Sequence, residues 1–216
     1  MLGSLGLTWS CNSRANVPYE TLKIMRDNGL RLLLVGFESG NDRILRNIKK
    51  GVMVERMVRF MKDCKKLGIR VHGTFILGLP GETPETMQQT MEFALALDPE
   101  TIQVSLAAPY PGTELYQQAQ ENGWLISEEQ LLMENGTQDF PLQYPGLGRR
   151  EVFDKVDEFY RKFYFRPKPI LRIVKDMMKD SDVRRRRLRE GKEFFDYLRR
   201  RRAAADEPAS GATAAS

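Results

Sequence analysis

A serial alternation of short apolar segments with longer amphipathic segments constrains the fold of this chain most. Gly29-Leu30-Arg31 and Gly68-Ile69-Arg70 occupy equivalent places in two successive units. In each, glycine ends an amphipathic segment and an apolar run follows, which is typical of a helix-to-strand joint. Strands in such a series are parallel, because parallel strands need crossover connections. The pattern therefore predicts an α/β fold, either an open half-barrel or a doubly wound sheet.

Four strands with three crossovers are predicted, at 5–10, 30–35, 69–77 and 101–106. The regular alternation stops after residue 110, and helices are predicted at 113–122, 149–165, 170–179 and 183–202. The predicted domains are the sheet region 1–125, a loop-rich connector 126–148, a helical extension 149–202 and a disordered tail 203–216. The tail prediction rests on its Ala, Ser and Gly content.

Composition excludes several protein classes. Two cysteines cannot form a disulfide framework, which indicates a reducing compartment. No apolar run is long enough for a transmembrane helix, and the first ten residues lack the order of a signal peptide. The formal charge is +5, but residues 184–202 alone hold ten Lys/Arg against three Asp/Glu. We therefore expect a cytoplasmic protein whose basic character belongs to one terminal segment.

Polar residues follow the predicted strands at the end where ligands bind in parallel α/β folds. Glu38 stands between Gly36 and Gly40 after an apolar strand, and its carboxylate could accept hydrogen bonds from ribose hydroxyls or an ammonium group. A helix cap or a structural ion pair is the alternative for Glu38. Arg14 could bind a carboxylate through its planar guanidinium, or it could be a surface arginine.

Other conspicuous residues favour structural interpretations. His72, the only histidine, lies within a strand pattern, and Cys64 falls on the apolar face of a helix. Cys11 and Cys64 lack the spacing of metal ligands. The glycine-rich segment 78–82 has no Gly-Lys-Ser/Thr ending, which excludes a P-loop. The segment 75–78 is, by itself, a buried strand whose backbone could contact a flat heterocycle.

Four blocks in this order resemble the later strands of radical S-adenosylmethionine (SAM) proteins, most of all the class with an N-terminal cobalamin-binding domain. The blocks are Trp9-Ser10-Cys11 with Arg14, Val35-Gly36-Phe37-Glu38-Ser39-Gly40, Phe75-Ile76-Leu77-Gly78-Leu79-Pro80-Gly81-Glu82 and Pro109-Tyr110-Pro111-Gly112-Thr113. The extension resembles the J-type radical SAM protein associated with hopanoid biosynthesis. Its matching motifs are Phe159-Tyr160-Arg161-Lys162-Phe163-Tyr164-Phe165-Arg166-Pro167-Lys168-Pro169 and Arg186-Arg187-Leu188-Arg189-Glu190-Gly191.

The resemblance implies the C-terminal half of a radical SAM barrel of the TIM-like type, followed by an α-helical extension. In that family a [4Fe–4S] cluster, held by a Cys-x3-Cys-x2-Cys loop, cleaves SAM to a 5′-deoxyadenosyl radical. By similarity, Glu38 and Ser39 would contact the ribose or methionine part of SAM, and Arg14 its carboxylate. The segment Phe75, Ile76 and Gly78 would line the adenine. Cobalamin and a hopanoid-type lipid substrate are implied in the same way.

The chain departs from the family pattern because it has no such cysteine triplet. A predicted strand also stands almost at its start, with an outer edge that would be unpaired. We therefore expect a fragment, or a partner that supplies the missing N-terminal half of the barrel, and no catalysis by this chain alone.

Three functional interpretations remain open. The first is a radical SAM half-barrel acting on a hopanoid side chain. The second is a non-catalytic module whose basic C-terminal helix contacts an acidic membrane surface, peripheral to the inner membrane; nucleic acid fits less well, because the charge lies in one helix without a reading motif. The third is a relic without activity.

Overall fold

The computed structural model describes residues 5–126, 139–178 and 181–206. These residues form two compact units, one up to Ala107 and one from Ala108 onward. The sequence-based division placed the corresponding boundary at residue 125. The change of unit coincides with the end of the last strand, where regular strand–helix alternation stops.

The first unit is a four-stranded parallel sheet in the order β1-β2-β3-β4, which confirms the predicted α/β fold. Its strands are β1 (Trp9–Ser13), β2 (Leu30–Glu38), β3 (Arg70–Leu77) and β4 (Thr101–Leu106). The connections contain helices α1 (Tyr19–Asp27), α2 (Asp42–Asn47), α3 (Val54–Lys66) and α4 (Pro84–Leu97). Because all four strands are parallel, their carboxyl ends lie at the same edge of the sheet.

The sheet has one apolar face, which the helices cover. Alternate residues of β2 and β3 are fully buried there, and Phe37 packs edge-on against Phe93 of α4 with ring centroids 6.2 Å apart. Gly73 leaves the space that the rings of Phe37 and Phe75 occupy, since an added Cβ would lie 3.2 Å from both. The core of this unit therefore lies between sheet and helices.

The opposite face of the sheet is more polar and less buried. It carries the intervening residues of β3 and β4, which include His72, Thr74, Gln103 and Ser105. His72 Nδ1 lies 2.7 Å from Thr101 Oγ1, and burial lowers the pKa of its imidazole. This supports the structural interpretation of the histidine.

The predicted position of the first strand was wrong. The prediction placed it at 5–10, where Leu5 and Leu7 supply the apolar pattern, but both side chains are exposed and the strand is Trp9–Ser13. Trp9 N donates to Gly29 O at 3.0 Å and Trp9 Nε1 donates to Asn28 O at 2.8 Å. These two bonds anchor the strand to the end of α1 and set its register against β2.

The second unit is mainly helical. Its described helices are α5 (Glu114–Glu121), α6 (Arg149–Tyr164), α7 (Pro167–Met177) and α8 (Ser181–Asp206). The apolar face of α6 is buried through Phe153, Phe159 and Phe163. Helix α8 includes residues 203–206, which the prediction had assigned to a disordered tail. Residues 207–216 of that tail and 127–138 of the connector lie outside the described residues.

In the part of the chain that the structure describes, no helix combines the length and the apolar composition that crossing a bilayer requires.

Helix α4 begins with a capping box that can be tested. Thr86 N donates to Thr83 Oγ1, and Thr83 N donates to Thr86 Oγ1 at 2.9 Å, so two backbone donors that the helix leaves unpaired are satisfied. We expect Thr83→Ala to lower the free energy of unfolding by about 1 kcal/mol. Urea unfolding followed by Trp9 fluorescence, in a Trp124→Phe background, measures it. Thr83→Ser, which keeps the hydroxyl, should be near wild type; equal losses in both variants would contradict the cap.

Candidate functional site

Glu38 ends β2 in an unusual backbone conformation. Its φ is +65°, and the pairing register with β3 shifts between Gly36 and Glu38. A bulge of this kind re-aims a side chain at the end of a strand. The Glu38 carboxylate meets Lys50, with Oε1 2.8 Å from Nζ and both side chains 18% exposed. The structural ion pair that sequence reasoning left open is therefore present.

Gly36 creates the space for this ion pair. A Cβ at that position would collide with Glu38 Oε1 and would lie 3.1 Å from Lys50 Nζ. The absence of a side chain at residue 36 therefore allows the carboxylate and the ammonium group to lie against the strand. This gives a physical reason for glycine immediately before the bulge.

Arg14 lies beside the same lysine. It follows the end of β1, and its Nη2 donates to Lys50 O at 2.6 Å. An added Cβ at Gly51 would lie 3.2 Å from that Nη2, and the φ of Gly51 is +71°. The guanidinium of Arg14 and the carboxylate of Glu38 are thus connected through Lys50, at the ends of two neighbouring strands.

Lys50 was missed by sequence reasoning. The sequence feature that could have revealed it is the run Lys49-Lys50-Gly51 after a short helix. In the structure Lys49 and Gly51 both have positive φ. Such a turn folds a charged side chain back toward the sheet rather than continuing the helix.

Ser39 points into the protein. Its side chain is fully buried, and its Oγ lies 3.1 Å from Thr90 Oγ1 in α4. The same oxygen accepts a hydrogen bond from Asn41 N at 3.2 Å. In this structure the hydroxyl of Ser39 therefore joins β2 to α4, and its predicted contact with a ligand stays a prediction.

The three predicted adenine-lining residues occupy different environments. Phe75 is fully buried on the helix-covered face and stacks on Phe37, with centroids 5.6 Å apart. Ile76 is half-buried on the opposite face, since side chains alternate along a strand. Gly78 N donates to Glu82 Oε2 at 2.6 Å. Of these side chains, only that of Ile76 lies on the polar face.

Glu82 fixes the turn after β3 and was also missed as a site residue. Its Oε2 accepts from Gly78 N and from Leu79 N at 3.0 Å, while its buried Oε1 has no hydrogen-bond partner among the described residues. Burial raises the pKa of this carboxyl to about 7, and the two N–H groups partly offset the effect. Helix α2 contacts the same turn, because Arg43 Nη2 donates to Gly81 O at 3.1 Å.

Arg14 and Gly78 thus directly follow the ends of β1 and β3, and Glu38 is the last residue of β2 between them. Glu38 is paired with Phe75, so β2 ends beside β3 two residues before β3 itself ends. The structure places the three residues on one edge of the sheet. We name Arg14, Glu38, Lys50 and the turn 78–82 the rim; its contact with a ligand stays a prediction.

An iron–sulfur cluster does not fit the residues of this chain. The sequence has two cysteines, and Cys64 is buried in α3, where burial raises its thiol pKa to about 12. Cys11 is half-buried within β1. No three His, Cys, Asp or Glu side chains cluster as metal ligands within residues 5–126, 139–178 and 181–206. A thiolate cluster needs deprotonated, grouped cysteines, and this chain lacks them.

Residues 3–94 match the model of the Radical SAM superfamily. This segment belongs to that superfamily. It contains β1, β2, β3 and most of α4, and therefore includes the whole rim.

Alignments with individual relatives cover more of the chain than residues 3–94. An uncharacterized methyltransferase of Pyrococcus horikoshii is 32% identical over 171 residues, which are 79% of this chain and 37% of the relative. Cytidylyl-2-hydroxyethylphosphonate methyltransferase of Streptomyces wedmorensis is 30% identical over 170 residues, 74% of this chain and 32% of the relative. The chain thus spans about a third of the length of these curated relatives.

Solved structures share the fold. The radical SAM methyltransferase TsrM of Kitasatospora setae, with cobalamin and a [4Fe–4S] cluster bound, aligns with a TM-score of 0.59 at 19% identity, covering 92% of this chain and 45% of that chain. Coproporphyrinogen III oxidase of Escherichia coli, a radical SAM enzyme, aligns with a TM-score of 0.55 at 17% identity, covering 74% and 33%. These alignments confirm the parallel strands of a partial radical SAM barrel.

The raised pKa of Glu82 predicts a dependence of stability on pH. The folded carboxyl holds its proton up to about pH 7, whereas an unfolded glutamate loses it near pH 4.5. The folded state therefore binds more protons across this window, and the contribution of Glu82 to stability falls as pH rises from 4.5 to 7. Glu82→Gln removes this ionisation, so we expect the variant to gain stability relative to wild type between pH 5 and pH 8.

Urea unfolding at both pH values, followed by Trp9 fluorescence in the Trp124→Phe background, measures the relative change. Glu92→Gln, at an exposed position of α4, is the matched control and should show no such change. A pH-independent difference between Glu82→Gln and wild type would contradict a raised pKa.

Proposed function

We propose that this chain is the C-terminal part of a radical SAM barrel and that its rim binds the nucleoside and amino-acid parts of SAM. The observation that carries the proposal is the meeting of Arg14 and Glu38 at Lys50, within a segment of the Radical SAM superfamily. Arg14 lies at the end of β1, Glu38 at the end of β2 and Gly78 at the end of β3. A ligand on this edge could contact all three.

The chemistry of the rim suits such a ligand. Glu38 Oε2 accepts no hydrogen bond among the described contacts, so it remains able to accept from ribose hydroxyls. Charge-assisted hydrogen bonds of this type contribute about 1.5–3 kcal/mol each. The Arg14 guanidinium is exposed and holds Lys50 O through one nitrogen, which leaves other donors for a carboxylate.

The [4Fe–4S] cluster belongs, in this proposal, to residues outside the present sequence. Two cysteines that are not grouped cannot replace the triplet of the family. The length of the curated relatives, of which this chain spans about a third, is consistent with a further segment or partner chain that completes the barrel. The chain itself would contribute SAM binding and no electron transfer.

The proposal also includes a reaction class and a substrate. Two relatives are named as methyltransferases, and the aligned TsrM structure contains cobalamin, which supports cobalamin-assisted methyl transfer as the reaction class. The motifs of the extension keep a hopanoid-type lipid as the proposed substrate.

Binding of S-adenosylhomocysteine tests the rim without a cluster. This compound keeps the nucleoside and amino acid of SAM, and we expect the chain to bind it in calorimetric titration. Glu38→Gln should raise the dissociation constant about tenfold or more, because a charge-assisted hydrogen bond is weakened. The exposed Glu92→Gln is the control and should bind like wild type. No binding by wild type, or equal binding by Glu38→Gln, would contradict the proposed rim.

Anaerobic reconstitution tests the assignment of the cluster. After incubation with iron and sulfide, and after desalting, we expect far less than one [4Fe–4S] cluster per chain, because the thiolate ligands are missing. Iron and labile-sulfide analysis with the visible absorption spectrum measures this. Cys11→Ser should show the same residual iron as wild type. A near-stoichiometric cluster that is lost in Cys11→Ser would overturn the proposal that its ligands lie elsewhere.

A further inference from the structure

Helix α7 exposes an apolar face. Leu171 is 67% exposed, Val174 is 47% exposed and Met178, just beyond the end of the helix, is 82% exposed. Met178 N donates to Val174 O at 3.1 Å, which continues the helical pattern to that residue. Positions three and four residues apart share one face of a helix, so these side chains form one stripe. We name Leu171, Val174 and Met178 the α7 stripe.

The stripe is separate from the face that α7 uses for packing. Pro169 is buried, and Ile173 and Met177 are half-buried, on a different side of the helix. Helix α7 contacts both α6 and α8 within its unit. The helix is therefore already anchored, and its most exposed large apolar side chains are left over from that packing. Neighbouring exposed apolar side chains on an already packed helix offer a surface for an interaction.

Exposed aromatic rings adjoin the start of the helix. Phe165, two residues before α7, lies with its ring centroid 6.1 Å from that of Phe195 in α8. Both side chains are more than half exposed. Phenylalanine is common on the apolar side of helices that lie in a membrane surface.

The charge around the stripe is positive. Lys168 and Lys175 are exposed and border the stripe on the helix surface. Arg184, Arg185 and Arg189 are exposed along α8, within the segment 184–202 that holds ten basic and three acidic residues. An apolar stripe with a basic border matches the composition of helices that lie in the plane of a membrane surface. The complementary occupant is therefore both apolar and anionic.

We propose that α7 docks this protein on an anionic lipid bilayer. Leu171, Val174 and Met178 enter the boundary between headgroups and acyl chains, while Lys168 and Lys175 contact lipid phosphates. Helix α8 adds electrostatic attraction to the anionic surface. The proposal differs from simple attraction by the basic helix, because it requires the apolar stripe of α7. It does not depend on SAM binding by the rim.

Co-sedimentation of the full chain with vesicles tests the docking. We expect binding to vesicles that contain phosphatidylglycerol and little binding to vesicles of phosphatidylcholine alone. The double variant Leu171→Ser/Val174→Ser should bind the anionic vesicles at least about tenfold more weakly. The reason is that two apolar side chains that would be buried in the bilayer are lost. The control is Ile24→Ser, which removes an equally exposed apolar side chain from α1 and should bind like wild type.

A second variant separates charge from apolar contact. Lys168→Gln/Lys175→Gln should weaken binding at low salt. The difference from wild type should become smaller at high salt, because salt screens the attraction between these two lysines and the lipid phosphates in the wild-type chain. Circular dichroism of each variant, unchanged from wild type, shows that the fold is kept.

Three results would overturn the proposal. One is failure of the wild-type chain to bind anionic vesicles. Another is equal binding by Leu171→Ser/Val174→Ser, which would assign the interaction to charge alone. The third is light scattering that shows a wild-type dimer and a monomeric double variant in the absence of lipid, since the stripe would then be an interface between two copies of the chain.

Discussion

The bulge between Gly36 and Glu38 determines the arrangement of the charged part of the rim, which consists of Arg14, Glu38 and Lys50. A regular strand would keep the alternation of faces up to its last residue, whereas the register shift and the positive φ of Glu38 turn its carboxylate toward Lys50. Lys50 in turn presents its carbonyl to Arg14. Gly36 makes this possible because it has no Cβ at the point where the carboxylate lies. One irregular peptide thus gathers three charged side chains at the ends of two strands.

The turn after β3 depends on a different kind of constraint. Glu82 satisfies two backbone donors of the turn at the cost of burying a carboxyl group, and the free energy of that burial appears as a raised pKa. Helix α2 holds the same turn from the side through Arg43. The edge of the sheet is therefore built from fixed backbone, with the charged groups of Glu38 and Arg14 beside it. Such preorganisation suits a site that binds a ligand of defined shape.

Sequence reasoning predicted the fold because its signals are local. Glycine stops, strand-length apolar runs and the cap at Thr83 each act within a few residues, and they predicted the series of parallel strands and helices without any long-range information. They left the strand order open between a half-barrel and a doubly wound sheet, and the structure has the order β1-β2-β3-β4. The first strand was misplaced because its position depends on hydrogen bonds from Trp9 to residues 28 and 29, far along the chain.

The candidate site was only partly predictable for the same reason. Glu38 and Arg14 were found from their place after strands, but Lys50 comes into contact through a turn and Ser39 turns inward toward Thr90. Phe75 is buried on the helix-covered face, since a one-residue step along a strand changes the face, and its predicted contact with a ligand stays a prediction. The predicted ends of β3 and β4 are confirmed, whereas β1 and β2 each end three residues later than predicted. Side-chain direction depended on the bulge and on packing against α4.

The more polar face of the sheet has a thermodynamic consequence. Thr74, Gln103 and Ser105 are hydrated there when the face is open to water, and Gln103 Nε2 already donates to Ser105 Oγ at 3.2 Å. A group that covers this face must replace the water that hydrates the amide and hydroxyl groups. It also displaces water from the apolar side chains of Leu32 and Ile76. Burial of polar and of apolar surface changes the heat capacity in opposite directions. Closure over this sheet should therefore have a smaller heat-capacity change than an apolar interface of the same area.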